Sequence, residues 1–227
     1  MHVIFFYMLV THYYHSGCLV ELEHHQLLFD YYQGDLNLNK EKPLYIFVSH
    51  RHFDHYNPNI FKIEHPHKTY ILSTTLRHKY DAHYVECNQQ YQFDDIVVKT
   101  LLSTDEGCAF IVEVEDKTIY HPGDLNWWHW NGEGKKDNEY QKITYQQQIN
   151  LIQQPIDIAF VVVDKRQEEY YLLGLQYFMN HVQTKTIFPI HYFGDYSISE
   201  QLKKEHLDNP YHAIIIDIHH QDETFHI

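Results

Sequence analysis

The sequence predicts an α/β protein in which two β-sheets pack face to face and carry helices on their outer sides. Strand-like runs dominate the first half of the chain, and strands alternate with helices in the second half. Two packed sheets with outer helices would bury the apolar side of every one of these elements. The 227 residues, 44% of them hydrophobic, suffice for one large core, and no low-complexity linker divides the chain. We therefore expect a single domain over residues 1–227.

The strands of the first half are predicted from short runs rich in β-branched and aromatic residues. The first run, residues 3–10, lacks a basic leading segment and is too short to cross a bilayer, so it predicts a strand rather than a signal peptide. Residues 18–23 and 26–30 predict a hairpin. Further strands are expected at residues 44–48, 70–72, 83–85, 96–101, 109–114 and 118–120.

The second half begins with a predicted helix at residues 138–152, which are rich in Gln, Lys and Tyr and precede Pro155. The remaining pattern alternates strands and helices, and Ser199 is the expected N-cap of the last helix. In chain order we expect a strand at 158–163, a helix at 168–182, a strand at 186–190, a helix at 199–207 and a strand at 211–216.

Charge and cysteine content narrow the class of protein. The formal charge is −14 with neutral histidines, and an acidic surface repels phosphate backbones, so no nucleic-acid partner is expected. The three cysteines are widely spaced and form no CxxC pair, which argues against a disulfide framework and fits a reducing cytosol. No apolar run is long enough to cross a membrane. We therefore expect a soluble, cytoplasmic protein with no membrane partner.

Residues 49–55, with the sequence SHRHFDH, are the strongest functional signal. They place three histidines and one aspartate directly after the apolar run 44–48, and these residue types are ligands of Zn²⁺ and related cations. Even in this histidine-rich chain, such a pattern arises by chance in roughly 1% of cases. A solvated loop is the alternative. The candidate metal ligands are His50, His52, Asp54 and His55.

Two more candidate ligands also lie where an apolar strand is expected to end. Asp124 follows Gly123 in a turn, and a carboxylate can bridge two cations about 3.5–4 Å apart. Alternatively, the Asp124 side chain caps the backbone of its own turn. His191 follows the strand predicted at 186–190. His15, just before the second predicted strand, is either a hydrogen-bond donor behind the ligands or a structural histidine.

In this order, the motifs resemble the metallo-β-lactamase superfamily, which carries His-x-His-x-Asp-His, a later Gly-Asp and a late His. The resemblance covers nearly the whole chain. It implies a four-layer αββα sandwich, made of two mixed β-sheets with outer helices, and a metal site on one edge. The segments around His15, His121 and His191 look most like the branch that includes ascorbate-phosphate lactonase-like hydrolases. His15 and His121 would then support the metal ligands from behind.

The resemblance also implies a role for each ligand. Two metal positions would share the bridging carboxylate of Asp124. A metal-bound hydroxide would attack the substrate, and Asp54 would be catalytic by positioning this nucleophile or relaying its proton. The first metal would be held by His50 and His52, and the second by Asp54, His55 and His191.

The chain departs from the family pattern at one place. The family has another histidine, followed closely by glycine, between the first motif and Gly-Asp, but residues 102–107 contain none. Asp105 is the best substitute, with Glu106 and Thr104 as alternatives. One or two divalent metals are expected, with Zn²⁺ leading. A carboxylate at Asp105 would favour harder metals such as Mn²⁺ or Fe.

Three residues are candidates for substrate binding. Trp127 and Trp128 follow Asp124 and could wall a pocket, or else plug the core. Arg166 follows the strand predicted at 158–163 and could bind a carboxylate or a phosphate. A structural salt bridge or a helix cap is the alternative for the segment that begins at Asp164.

The combined pattern favours a metal-dependent hydrolase acting on a small-molecule substrate, namely an ester, a lactone or a phosphorylated metabolite. A non-catalytic metal-binding or sensing protein on the same fold is the alternative, because the usual histidine is missing near Asp105. A phosphodiesterase or nuclease would need a basic groove, of which this acidic sequence gives no sign.

Overall fold

Two seven-stranded β-sheets form the centre of the computed structural model, which describes residues 8–76 and 80–227. The first half supplies strands β1 to β10, and the second half supplies the α-helices and the remaining strands. In chain order the elements are β1 Leu9–His12, β2 Cys18–Glu21, β3 Gln26–Phe29, β4 Leu44–Val48, β5 Lys68–Ser73, β6 His83–Val85, β7 Gln90–Phe93, β8 Ile96–Leu102, β9 Cys108–Val114, β10 Lys117–His121, α1 Lys135–Ile149, β11 Ile156–Val162, α2 Leu173–His181, β12 Thr184–Ile190, α3 Ser197–Leu202, β13 Ile214–Ile215 and β14 Glu223–His226.

Both sheets are mixed. The first has the order β14-β1-β2-β3-β4-β5-β6, and the second has the order β13-β12-β11-β10-β9-β8-β7. Strands β3 to β6 run parallel to one another, as do β10 to β13, while the other pairs are antiparallel. Parallel neighbours end at the same edge of a sheet. The residues after β3 and β4 therefore meet, and so do those after β10, β11 and β12.

Aromatic side chains fill the space between the sheets. Phe29 stacks on Phe47 at 4.6 Å between ring centroids, and Phe47 meets Phe110 of the opposite sheet at 5.2 Å. Phe160 and Phe188 continue this layer at 5.4 Å. All five side chains are fully buried. Burial of such a side chain stabilises the fold by about 1.5–3 kcal/mol, so this layer holds the sandwich together.

The outer layers differ between the two sheets. Helices α1 and α2 cover the second sheet, where Phe178 stacks on Tyr120 at 5.2 Å between ring centroids and Tyr145 donates to the Gly174 carbonyl at 2.8 Å. On the first sheet, the buried Ile60 of a 3-10 helix at Pro58–Lys62 packs on the strands. The predicted sandwich of two mixed sheets is confirmed, with a thinner outer layer on the first sheet.

A buried histidine joins the two sheets at the edge opposite the strand ends described above. His25, in the turn between β2 and β3, contacts Glu115 through Nδ1 at 2.7 Å and Asp95 through Nε2 at 3.0 Å. Glu115 and Asp95 lie in turns of the second sheet, before β10 and β8. Side chains from both sheets therefore meet at this edge.

Several predicted boundaries need correction. The helix predicted at 168–182 begins only at Leu173, because Lys165–Tyr170 form a separate 3-10 helix in which Glu168 has a left-handed φ of 53°. The helix predicted at 199–207 is Ser197–Leu202, and Ser199 lies inside it, bonded to the backbone of Ile218 rather than acting as N-cap.

The predicted strands are mostly present, with changes at the ends of the chain. The last one, at 211–216, shrinks to β13, while β7 and β14 were missed because exposed polar residues interrupt their apolar pattern. Of the run 3–10, residues 3–7 lie outside the described part, and β1 begins at Leu9. Among the described residues, no helix has the length and apolar character needed to cross a bilayer.

Candidate metal centre

The predicted ligands meet at one edge, where strands of both sheets end. His50 follows β4 of the first sheet, while Asp124 and His191 follow β10 and β12 of the second sheet. Two glycines let the loops approach. A Cβ at Gly107 would lie 1.9 Å from the Ser49 carbonyl oxygen, and one at Gly123 would lie 2.7 Å from Ser49 Oγ. Both glycines also have positive φ, so no other residue fits easily.

The buried carboxylate of Asp124 is the centre of the site. Its Oδ1 lies 2.9 Å from His55 Nε2 and 3.1 Å from His191 Nε2, and its Oδ2 lies 3.3 Å from His50 Nε2. All four side chains are nearly inaccessible to solvent. Three imidazoles thus point the same nitrogen at one carboxylate.

Asp30, which the sequence analysis did not identify, orients two of these histidines. Its carboxylate accepts from His55 Nδ1 at 2.8 Å and from Ser49 Oγ at 2.6 Å. The hydroxyl of Ser49 has only one proton, so it accepts from His50 Nδ1 at 2.9 Å. Both histidines therefore carry a proton on Nδ1, so that Nε2 faces Asp124 and can bind either a cation or a second proton.

Asp164 orients the third histidine. His191 Nδ1 donates to Asp164 Oδ2 at 3.0 Å, so its Nε2 lone pair also faces Asp124. The same carboxylate caps the 3-10 helix at Lys165–Tyr170 by accepting from the Arg166 backbone, and it is ion-paired with the Arg166 guanidinium. Burial alone would raise the pKa of Asp164, but the bonds from His191 and Arg166 lower it to about 2.

Buried polar atoms without hydrogen-bond partners show that these residues fit a cation. Within residues 8–76 and 80–227, His50 Nε2, His55 Nε2 and Asp124 Oδ1 are each buried and find no hydrogen-bond partner of good geometry, although they lie close to one another. Leaving a buried lone pair unsatisfied is costly, and such atoms in one place indicate a missing partner. Three imidazole lone pairs around a carboxylate match the donor set that divalent metals prefer.

In the protein without a cation, protons bound to the histidines compensate part of the negative charge of Asp124. Burial alone would lower the pKa of His55, but Asp124 and Asp30 outweigh it and raise that pKa well above its usual value. The pKa of His191 is also raised, against burial, by Asp124 and Asp164. Conversely, His55 and His191 hold the pKa of Asp124 well below its usual value despite burial.

His52 and Asp105 form a more open part of the site. His52 Nδ1 lies 3.7 Å from Asp105 Oδ2, and the two side chains are 44% and 50% exposed. Glu106 lies 3.3 Å from His52 Nε2 and also pairs with Arg51. One donor atom each of His52, Asp105 and Asp124 lie within 4.8 Å of one another. The structure thus brings Asp105 within reach of the other predicted ligands, and Glu106 lies on the other ring nitrogen of His52.

Asp54 and His15 complete the other side. One donor atom each of His15, Asp54, His55 and His191 lie within 4.8 Å of one another. His15 Nε2 lies 3.5 Å from Asp54 Oδ2 and is buried without a hydrogen-bond partner. The structure therefore places His15 beside the predicted ligands.

His121 lies behind the turn that carries Asp124 and has no free nitrogen. Its Nε2 donates to the Ser16 carbonyl at 2.9 Å, and its Nδ1 accepts from the Gly123 backbone at 3.2 Å. The ring stacks on Phe29 at 5.0 Å between centroids, and burial lowers its pKa. His121 is therefore placed to support the turn that carries Asp124.

A cavity of about 290 Å³ opens beside these donors. Trp128 stacks on Trp130 at 5.7 Å to form one wall, and the Arg166 guanidinium lies 4.6 Å from the Phe193 ring centroid. Trp127 does not line this cavity but faces a neighbouring one. The lining residues are His52, Asp54, Asp105, Asp124, Trp128, Trp130, Gln141, Arg166 and His191.

Comparison with known families agrees with this geometry. Residues 9–136 match the family described as "Beta-lactamase superfamily domain". The match spans more than half of the chain, so the chain belongs to the metallo-β-lactamase superfamily. It includes β1 to β10 and the segment from His50 to Asp124. His191 lies beyond it.

Solved structures show the same fold over nearly the whole chain. Igni18, a metallo hydrolase from Ignicoccus hospitalis, has a TM-score of 0.65 at 12% identity, covering 97% of this chain and 98% of its own. The metallo-β-lactamase fold protein YhfI from Bacillus subtilis has 0.59 at 14%, covering 98% and 100%. CmlA, a diiron β-hydroxylase from Streptomyces venezuelae, has 0.61 at 8%, covering 97% and 54%. A search of curated proteins gave no match.

Proposed function

We propose that this protein is a metal-dependent hydrolase whose centre is built around Asp124. The observation that carries the proposal is the convergence of the Nε2 atoms of His50, His55 and His191 on one buried carboxylate. A cation held there would act as a Lewis acid and lower the pKa of a water molecule that it binds. In this proposal His50, His52 and Asp105 would hold one metal, Asp54, His55 and His191 would hold a second, and Asp124 would contribute to both.

The side chains around the metal ligands supply the remaining functions of a hydrolase. Asp54 lines the cavity and is only 16% exposed, so it is placed to accept a proton from the attacking water. Trp128 and Trp130 form an apolar wall that limits the access of bulk water. Asp30 and Asp164 fix the ring orientation of the histidines, as partners behind metal ligands do.

Arg166 and the size of the cavity support a small substrate with an anionic group. The guanidinium lies at the cavity wall and retains N–H groups beyond its contacts with Asp164. A cavity of about 290 Å³ admits a small metabolite rather than a polymer. A phosphorylated metabolite, or a carboxylated ester or lactone, is the substrate class that we propose.

Zinc is the first candidate for the metal, and the carboxylate of Asp105 makes iron or manganese the second candidate. A carboxylate in the more open part of the site is a harder ligand than the imidazole that the family usually has. The structural likeness to a diiron enzyme is consistent with this alternative. A protein that stores or senses metal without turnover is less favoured, because the donors face a cavity.

Metal analysis combined with an ester and phosphate substrate panel tests the proposal. Protein purified without added metal should hold about one to two equivalents of Zn, Mn or Fe, matching the one or two positions of such centres. Asp124→Asn should lose most of the metal and all measurable hydrolysis. His67→Ala, at an exposed histidine, is the control. Less than about half an equivalent, with no activation by these ions, would contradict the proposal.

A further inference from the structure

We propose that His15 is not a metal ligand but a positioning residue that donates a hydrogen bond to Asp54. The proposal rests on the proposed metal centre, because Asp54 is one of its assigned ligands. His15 Nε2 is buried, lies 3.5 Å from Asp54 Oδ2 and makes no other polar contact that qualifies as a hydrogen bond in the described part of the chain. By distance alone it would count as a fourth donor beside Asp54, His55 and His191.

The hydrogen bond at the opposite ring nitrogen distinguishes His15 from the metal ligands. The backbone N–H of Phe193 donates to His15 Nδ1 at 3.2 Å, and a backbone amide nitrogen can only donate. Nδ1 is therefore unprotonated, and an imidazole with a bare Nδ1 carries its proton on Nε2. The arrangement is the reverse of that in His55 and His191, where Nδ1 donates to a carboxylate.

The backbone holds His15 firmly in this orientation. His15 has a left-handed φ of 61°, an uncommon conformation for a residue other than glycine. Its carbonyl accepts from the His191 backbone at 3.1 Å, so His15 is tied both to His191 and to Phe193. Its ring packs between the rings of these two residues, at 4.0 and 3.9 Å between centroids. Turning the ring over would break the bond to Phe193.

The consequence is one protein donor fewer in the proposed metal centre. With a protonated Nε2, His15 cannot coordinate, so a metal at this position would have Asp54, His55, His191 and the shared Asp124 as protein donors, without a fifth from His15. His15 instead fixes the orientation of the Asp54 carboxylate at the cavity wall.

Two variants separate these roles. In His15→Asn, the shorter side chain can still accept from the Phe193 backbone and tolerates a left-handed φ, but it cannot reach Asp54. In His15→Gln, the longer amide can still donate to Asp54. We expect His15→Asn to lower kcat about 10- to 100-fold while metal content stays unchanged, and His15→Gln to lose less. Loss of a metal equivalent in both variants would contradict the proposal.

Nitrogen NMR of the ring tests the proton position directly. With ¹⁵N-labelled histidine, His15 should show a protonated Nε2 in the metal-free protein, whereas His50 should show a protonated Nδ1. After loading with ¹¹³Cd, the Nε2 atoms of His50, His55 and His191 should couple to cadmium, whereas neither ring nitrogen of His15 should. Coupling at His15, or a bare Nε2, would overturn the proposal. If no histidine couples, the proposed metal centre fails, while the metal-free spectrum still decides the proton position of His15.

Discussion

At the scale of single residues, one carboxylate substitution distinguishes this chain from the usual pattern of its family. Asp105 stands where the resemblance implies a histidine, and it lies close to the half-exposed His52. A carboxylate oxygen is a harder ligand than an imidazole nitrogen, and its reach is shorter. The metal position proposed at His50, His52 and Asp105 is therefore expected to exchange its ion more readily than the buried position proposed at His55 and His191.

Substitutions of Asp105 test this difference. Asp105→Ala should remove metal from one position only, lowering the content by about one equivalent in a two-metal centre. Asp105→His should shift selectivity from Mn²⁺ toward Zn²⁺ by about tenfold or more, because imidazole favours zinc. Mass spectrometry after growth with equal zinc and manganese measures both effects. Asp208→Ala, an exposed aspartate outside the cavity, is the control. Unchanged metal content in Asp105→Ala would remove Asp105 from the ligand set.

At the scale of elements, the site depends on two loops whose backbones are in direct contact, the one at Gly107 and the one at Ser49. Gly107 has a φ of 75°, and a Cβ there would overlap the carbonyl of Ser49, the residue before His50. The loop that carries Asp105 is thus fitted against the loop that carries the first ligands. A side chain at this position would disturb the metal centre and the fold together.

Gly107→Ala should destabilise the protein by about 3 kcal/mol, as the sum of left-handed strain and steric overlap. Gly132→Ala is the matched control, because a Cβ there would meet nothing within 4 Å. Denaturant unfolding of the metal-free proteins measures the difference in free energy of unfolding. Equal stability of the two variants would show that the Gly107 loop can move away from Ser49.

Sequence reasoning succeeded where a local pattern carries the information. His50, Asp124 and His191 each follow an apolar run, so their place at a strand end could be predicted. The roles of Asp30 and Asp164 could not, because they depend on which strands lie side by side: Asp30 follows β3, the parallel neighbour of β4, and Asp164 follows β11, the parallel neighbour of β12. Parallel order is a property of the sheets, not of the local sequence.

Two other local interpretations were incomplete for similar reasons. Tertiary contacts decide which way each tryptophan of the segment after Asp124 faces. Trp130 and Trp128 therefore line the cavity, and Trp127 does not. The left-handed backbone at Glu168, which shortens the predicted helix, leaves no mark in the apolar pattern. The proton position of His15 follows from a bond to a residue 178 positions away.

At the scale of the whole molecule, proton and metal binding compete for the same nitrogens. The raised pKa values of His55 and His191 mean that the metal-free protein holds protons on these rings at pH values above the usual range of histidine. A metal must displace those protons. Its affinity is therefore expected to fall as the pH drops below the raised pKa values and to rise with increasing pH until they are passed.

Competition with a chromophoric chelator between pH 6 and 8 measures this dependence. Affinity should increase by about tenfold per pH unit for each displaced proton. Asp164→Asn should weaken the dependence, because it removes one of the carboxylates that raise the pKa of His191. An affinity that does not change over this range would show that the rings are already neutral in the metal-free protein.

Different contacts join the two sheets at their two edges. At one edge, His25 of the first sheet contacts Glu115 and Asp95 of the second. At the other edge, ligands from both sheets face each other across Asp124. A shared cation there would act as a cross-link between the sheets. Such a cation would add to the hydrogen bonds that already join the sheets at this edge, such as those from the His191 backbone to the His15 carbonyl and from the Cys108 backbone to the Ser49 carbonyl, both at 3.1 Å. Metal binding at the proposed centre is therefore expected to stabilise the contact between the sheets as well.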